Sequence, residues 1–93
     1  MQNIRAEVVL PTKQLRDDIP FFTKTLGMRM DEIFPADDPS VAGFSGYGLR
    51  VRVQKDAQTA PGVLRILCAD PMLIAGGQTH LTAPNGTRIE IAA

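Results

Sequence analysis

The chain has 93 residues, of which 44% are hydrophobic, and its ten basic and ten acidic side chains give a formal net charge of zero at pH 7. A chain of this length forms one small domain, and the lack of a basic cluster argues against nucleic acid and anionic membranes as partners. The apolar runs are too short to cross a membrane, and the single cysteine excludes an internal disulfide, so we expect a cytoplasmic protein.

The beginning of the chain predicts a strand followed by a helix. The β-branched run 4–10 indicates a strand that Pro11 ends, and residues 13–27 indicate an amphipathic helix that stops at Gly27. Pro20 lacks a backbone N–H, so it fits this helix only in the first turn. Apolar residues spaced four, three and four apart form the expected buried stripe: Leu15, Ile19, Phe22 and Leu26.

The middle of the chain predicts strands joined by loops. Runs at 28–34 and 41–54 have strand character, and the glycines of the second run indicate a bend or bulge. Residues 55–62 predict a linker and residues 63–68 a further strand. The segment 69–77 then predicts an irregular or briefly helical connection.

The last segment, residues 78–91, predicts a closing hairpin, because its "APNG" stretch favours the left-handed backbone of a tight turn. Side chains alternate between the two faces of a strand, so Glu90 faces away from the core if Ile89 and Ile91 face towards it. That opposite side is either open water or a cavity in which Glu90 has a chemical role.

The order of elements predicts an α+β fold in which one main helix covers one face of a curved, mostly antiparallel sheet. We expect a single domain over residues 1–93. The other, concave face of the sheet is then free to form a binding site. Six residues are candidates for ligand binding on that face: Glu7, Val9, Arg50, Arg52, His80 and Glu90.

The candidate residues also have ordinary interpretations. Arg50 and Arg52 alternate with valines, so they are solvated charges on an exposed sheet or, in a cavity, groups that bind an anion. His80 is either a polar lining residue or a general base, and no second histidine is present to complete a recognisable catalytic set. Glu7, Glu90 and His80 are the candidates for catalysis, with no assigned step.

Two stretches together resemble the vicinal oxygen chelate superfamily, which includes glyoxalase I, bleomycin-resistance proteins and extradiol dioxygenases. "VVLPTKQLRDDIPFFTKTLGM", residues 8–28, is similar to the strand–helix opening of that family, and "APNGTRIEI", residues 83–91, to its terminal hairpin. The resemblance implies paired βαβββ modules that form a cup, within one chain or across two. It assigns a complete module to residues 1–54 and a shortened second module to 62–92, with the loss around 69–77.

The resemblance also implies where a metal ion would bind in metal-using members. Those ligand positions fall on Glu7, Arg52, Val63 and Glu90. Arginine stays protonated and valine has no donor atom, so we expect neither a metal ion nor another cofactor. If a metal ion is bound after all, Glu7 and Glu90 are the ligands that remain.

Three functions follow as expectations. The first is metal-independent binding of a small molecule in the cup, with Glu90 paired to Arg50 or Arg52. The second is a metal-dependent lyase, isomerase or dioxygenase, and the third is an N-terminal structural or regulatory domain of a longer chain. We also expect a homodimer, because a shortened second module cannot close a cup alone and its sheet edges need cover. Glu32 is expected to be an ordinary exposed charge.

Overall fold

Residues 4–93 are described by the computed structural model, and they form seven strands in two sheets with one main helix. The α+β class expected from the sequence is confirmed, while the first three residues of the expected domain lie outside the described ones. Within residues 4–93, no helix is long and apolar enough to cross a membrane. The elements are β1 (Val8–Pro11), α1 (Leu15–Pro20), β2 (Arg29–Phe34), β3 (Val41–Gly46), β4 (Leu49–Gln54), β5 (Val63–Leu67), β6 (His80–Thr82) and β7 (Arg88–Ala92).

The first sheet, called sheet 1, contains four strands in the order β1–β4–β3–β2. Strand β1 runs parallel to β4, and the other pairs are antiparallel. The predicted run 41–54 is divided into two strands by a tight turn at Tyr47 and Gly48, which both have positive φ. The bulge lies between Met30 and Glu32 on β2 rather than among the glycines of β3.

The predicted helix is present but is not a regular α-helix throughout. It begins at Leu15, and after Pro20 the chain winds into wider π-helical turns over Phe21–Thr25. Pro20 thus ends the regular part instead of lying in its first turn, which corrects the sequence expectation. Proline cannot donate to the carbonyl four residues earlier and its ring crowds that carbonyl, which accounts for the change of winding. Within this wider winding the Thr23 hydroxyl donates to the Ile19 carbonyl at 2.7 Å.

The second sheet, called sheet 2, contains three strands in the order β5–β7–β6. Strand β5 runs parallel to β7, and β6 forms the predicted hairpin with β7. Between β5 and β6 the chain forms two 3₁₀ turns, Pro71–Leu73 and Ala75–Gly77. In the first half of the chain, the corresponding position is occupied by the helix and the second strand. The shortening expected near residues 69–77 is therefore confirmed.

Both sheets and the helix share one hydrophobic core. Each buried Leu, Ile, Val or Phe side chain contributes on the order of 1.5–3 kcal/mol, so this core is the main stabilising feature. Because sheet 1 and sheet 2 both turn their apolar faces towards the common core, their polar faces point away from it. The core residues are Leu10, Leu15, Phe22, Leu26, Met28, Ala42, Phe44, Val51, Val53, Leu64, Ile66, Ile74, Ala83, Ile89 and Ile91.

A buried aspartate lies where α1 meets the end of β1. Asp18 has no exposed surface, its Oδ2 accepts a hydrogen bond from the Thr12 hydroxyl, and its Oδ1 has no partner among the described residues. Burial raises the pKa of Asp18, although the Thr12 hydroxyl and the nearby backbone N–H of Asn85 oppose the rise.

Asn85 also connects the two halves of the chain. Its side-chain Nδ2 donates to the Pro11 carbonyl at 2.9 Å, and its Oδ1 accepts from the Thr87 N–H at 3.1 Å. The Thr87 hydroxyl, which is fully buried, donates to the Pro61 carbonyl at 2.9 Å. The turn between β6 and β7 is therefore held against β1 and against the linker that precedes β5.

Candidate functional site

The polar face of sheet 1 carries a group of ion pairs centred on Arg50. Arg50 Nε donates to Glu7 Oε2 at 2.9 Å, Nη1 donates to Asp31 Oδ2 at 3.0 Å, and Nη2 donates to Glu32 Oε1 at 3.2 Å. The Arg50 side chain is only 19% exposed. We call these four residues the Arg50 network; it joins the chain just before β1 to strands β4 and β2.

The strand register explains why these side chains meet. A row of directly opposed residues crosses the sheet from Val9 to Arg52, then to Gly43 and finally towards Glu32. Gly43 has no side chain, so Glu32 and the guanidinium of Arg50 can lie over β3. The bulge between Met30 and Glu32 breaks the alternation of β2, and this allows two consecutive carboxylates to reach one arginine.

Arg52 is held more loosely than Arg50. Its Nε donates to Gln54 Oε1 at 3.0 Å, and its guanidinium lies 5.5 Å from the ring centroid of Phe34. Its Nη1 is 3.8 Å from Glu7 Oε1 and 3.9 Å from Glu32 Oε1, beyond hydrogen-bonding distance. Arg52 therefore adds positive charge to the polar face of sheet 1, and no carboxylate fixes its guanidinium by a hydrogen bond.

The electrostatics keep Arg50 and Asp31 ionised. The Glu7 carboxylate raises the pKa of Arg50, with further contributions from Asp31 and Glu32. The Ser45 hydroxyl and the Arg29 guanidinium lower the pKa of Asp31, and the charge of Arg50 acts in the same direction. These groups consequently carry their full charges at neutral pH.

A depression of about 360 Å³ opens at the end of this face that lies beside the turn between β3 and β4. It contains three guanidinium groups and one carboxylate, together with a serine hydroxyl, two glycines and two small apolar surfaces. The lining residues are Arg5, Ala6, Arg29, Asp31, Ser45, Gly46, Gly48, Leu49 and Arg50.

The polar face of sheet 2 carries the other predicted site residues. Glu90 on β7 lies directly between Arg65 on β5 and His80 on β6. His80 Nδ1 is 3.1 Å from the Thr79 hydroxyl, and a shallow depression of about 200 Å³ includes both His80 and Glu90. His80 and Glu90 are directly opposed across the β6–β7 pair, so an imidazole lies opposite a carboxylate on this face.

The six predicted residues thus fall into two groups. Glu7, Val9, Arg50 and Arg52 come together on sheet 1, whereas His80 and Glu90 lie together on sheet 2. Within the described chain, Glu90 forms no ion pair, and Arg50 and Arg52 pair with other carboxylates. The expected pair between Glu90 and these arginines is therefore wrong for a single chain, because the two polar faces point away from one core.

Sequence reasoning missed two carboxylates of the Arg50 network. Asp31 was given no role, and Glu32 was expected to be an ordinary exposed charge, but both bind Arg50. The only sequence signal was Gly43, whose lack of a side chain was interpreted as a bend rather than as space for ion pairs. Val63, one of the implied metal positions, is exposed on the first residue of β5.

Several solved structures have a similar architecture. The structure is similar to a lactoylglutathione lyase from Agrobacterium tumefaciens, with a TM-score of 0.70, 12% identity, and coverage of 97% of this chain and 92% of that chain. It is also similar to a bleomycin-binding protein from Streptomyces verticillus complexed with copper(II)-bleomycin, with a TM-score of 0.65, 15% identity and coverage of 100% and 98%. A glyoxalase/bleomycin resistance protein/dioxygenase from Nocardioides matches with a TM-score of 0.65, 15% identity and coverage of 98% and 83%.

The chain has the vicinal oxygen chelate fold. The resemblance inferred from the two terminal motifs is therefore confirmed at the level of the fold. No family model matches the sequence, and no curated protein matches it either. In this version of the vicinal oxygen chelate fold, a four-stranded sheet with a helix shares its core with a three-stranded sheet that has only 3₁₀ turns.

Proposed function

We propose that this protein binds a small molecule on the polar face of sheet 1 without a metal ion, and that a second copy of the chain completes the site. The Arg50 network is the observation that carries the proposal. It places several half-buried charges, with fixed partners, on a face that the fold leaves uncovered. Binding sites commonly combine a few polar groups of this kind with apolar surface, which Val9 and Phe34 supply here.

The charge balance of the Arg50 network supports metal-independent binding. Glu7, the implied ligand on the first strand, already accepts a hydrogen bond from Arg50. A divalent ion bound to Glu7 would have to compete with this guanidinium and would be repelled by it. Glu90, the other implied carboxylate ligand, lies on sheet 2. Arg52 and Val63 provide no metal-binding atoms at the remaining positions.

The arrangement of the two faces supports the second copy. In one chain the polar faces of sheet 1 and sheet 2 lie on opposite sides of a shared core, so they cannot enclose the same ligand. A homodimer can bring sheet 1 of one protomer against sheet 2 of its partner, and twofold symmetry then forms two equivalent sites. Exposed apolar residues at the strand edges, among them Val8, Val63 and Leu67, would gain cover.

Elemental analysis combined with a binding screen tests the proposal. The protein would be expressed with added Zn, Ni, Mn and Fe, purified without chelators, and analysed for metal content. We expect substoichiometric metal, whereas one transition-metal ion per chain would contradict metal-independent binding. Nuclear magnetic resonance of the ¹⁵N-labelled protein against a mixed library of small molecules would then locate binding. Shifts confined to amides outside sheet 1 would contradict the proposed site.

A further inference from the structure

We propose that the depression beside the turn between β3 and β4 is an oxyanion subsite, and that the ligand carries a carboxylate or phosphate group bound there by Arg5 and Arg29. This inference rests on the proposed function, since it specifies the chemical class of the small molecule. It adds two arginines that the sequence did not single out. Arg50, which borders the same depression, is committed mainly to other contacts.

The charge of the depression favours an anion. Three guanidinium groups line it, and Asp31 is the carboxylate among its lining residues. Glu7 and Glu32 also neutralise Arg50, but they contact it from outside the depression. The Arg50 charge is therefore neutralised, and the positive charge open to an incoming anion is that of Arg5 and of the exposed Arg29.

The hydrogen-bond donors of the three arginines are used to different extents. Arg50 directs Nε, Nη1 and Nη2 to three different carboxylates, so it has little capacity left. Arg29 uses only Nε, which donates to Asp31 Oδ1 at 2.6 Å, and its side chain is 82% exposed. Arg5 forms no ion pair within residues 4–93. The two Nη groups of Arg29 and the whole guanidinium of Arg5 are thus available to an incoming acceptor.

Asp31 positions the guanidinium groups of this subsite. Its Oδ1 accepts from Arg29 and its Oδ2 accepts from Arg50 Nη1 at 3.0 Å, so one carboxylate orients two arginines. The Ser45 hydroxyl and Arg29 lower the pKa of Asp31, which keeps it charged in this role. A guanidinium fixed through Nε presents its Nη edge, and that edge matches a carboxylate or phosphate in a paired geometry.

The size and remaining lining specify the rest of the ligand. A volume of about 360 Å³ is near the lower end of the range for small-molecule sites, roughly 300–1,000 Å³. Ala6 and Leu49 provide apolar contact, and Ser45 provides a hydroxyl. The chemistry corresponds to a small molecule with one oxyanion group and a short apolar body.

Binding of three probes to the ¹⁵N-labelled protein at low ionic strength tests the inference: inorganic phosphate, benzoate and benzamide. We expect phosphate or benzoate to shift the amides of Ser45, Gly46 and Gly48 saturably, and the uncharged benzamide not to. Phosphate alone would indicate a phosphate ester, and benzoate would indicate a carboxylic acid. Arg29→Gln and Arg5→Gln should each weaken the oxyanion that binds by about fivefold or more, which corresponds to about 1 kcal/mol.

Arg16→Gln is the matched control, because it removes the same charge from an exposed position on α1, away from the depression. Equal affinities of the Arg29, Arg5 and Arg16 variants for phosphate and benzoate would overturn the subsite. If benzamide binds sheet 1 as well as benzoate does, the oxyanion inference fails while small-molecule binding stands. If the mixed library also leaves the sheet 1 amides unchanged, both proposals fail.

Discussion

Gly43 faces Glu32 across the β2–β3 pair, and a Cβ atom placed on Gly43 would lie 3.0 Å from Cγ of Glu32. The same Cβ would lie 3.5 Å from Arg50 Nη2. The missing side chain therefore leaves the space in which Glu32 and Arg50 meet above β3. The backbone of Gly43 is extended, so contact between side chains, rather than backbone freedom, accounts for glycine at this position.

Gly43→Val should break the contact between Glu32 and Arg50 and destabilise the fold. Overpacking of this kind costs typically about 1–3 kcal/mol. Chemical denaturation of the single variants Gly43→Val and Glu32→Ala and of the double variant measures the coupling. In the Glu32→Ala background, Gly43→Val should lower the free energy of unfolding clearly less than it does in the wild-type background, because the side chain that the valine crowds is absent. Equal costs in both backgrounds would show that Gly43 has no role in positioning Glu32.

Arg50→Gln should destabilise the protein more than Arg52→Gln. Arg50 donates to three carboxylates at 2.9–3.2 Å, and its removal leaves those like charges close together. The carboxylates nearest Arg52 are at 3.8 and 3.9 Å, so its removal breaks no short ion pair. Urea unfolding of both variants at neutral pH makes the comparison. A larger loss for Arg52→Gln would contradict the central place given to Arg50.

The same comparison should depend on pH in a defined direction. The pKa of Asp31 is lowered from its ordinary value of 3.8, so its contribution to stability is complete above that pH. It is lost as the pH falls through the still lower pKa of the folded state. The part of the difference between wild type and Arg50→Gln that Asp31 contributes should therefore persist until the solution is strongly acidic. A difference that disappears well above pH 3.8 would contradict this assignment.

Asp18→Asn should stabilise the protein at neutral pH. The pKa of Asp18 is raised from 3.8, so its carboxyl favours folding only while protonated, and that contribution is lost as the pH rises through the folded-state value. Asparagine is neutral at every pH, and the Thr12 hydroxyl can still bond to it. Thermal unfolding should give a higher melting temperature for the variant than for wild type at pH 7. Well below pH 3.8 the two melting temperatures should be equal. Asp38→Asn, at an exposed position in the loop between β2 and β3, is the control. A loss of stability in Asp18→Asn at pH 7 would contradict the argument.

The protein should be a dimer in solution, and the polar face of sheet 2 should belong to the interface. Leu67 is 73% exposed on β5, so Leu67→Glu should shift the equilibrium towards monomer by placing a charge in the interface. Leu73, which is 78% exposed in a 3₁₀ turn, provides a matched control as Leu73→Glu. Light scattering across a concentration series makes the measurement. A wild-type particle with the mass of one chain at micromolar concentration would contradict the dimer.

The sequence predicted the order of elements well, because most segments follow simple periodicity. The helix stripe was right for Leu15, Phe22 and Leu26, which are fully buried. It was inexact for Ile19, which is only partly buried, while Asp18 is completely buried one position earlier. The change of winding after Pro20 alters which residues face the core, and a uniform period of 3.6 residues cannot represent it.

The candidate site was less predictable, for two physical reasons. Strand alternation placed Arg50 and Arg52 on one face, but it fails at the bulge in β2, where Asp31 and Glu32 both reach Arg50. The second reason concerns Glu90. Alternation gives the face of a strand but not the direction in which its whole sheet points.

The hydrogen bond from Asn85 to Pro11 joins positions 74 residues apart, and both parallel strand pairs also connect distant parts of the chain. Forming each of these pairings closes a long loop of chain, so loop-closure entropy opposes the early steps of folding. Domains dominated by such distant pairings fold in roughly milliseconds to seconds, far more slowly than helical bundles of similar size. During that time the apolar face of sheet 2 has no helix of its own to cover it. A slow search and an uncovered β-rich half together make the refolding chain, more than the native state, the species that is prone to aggregate.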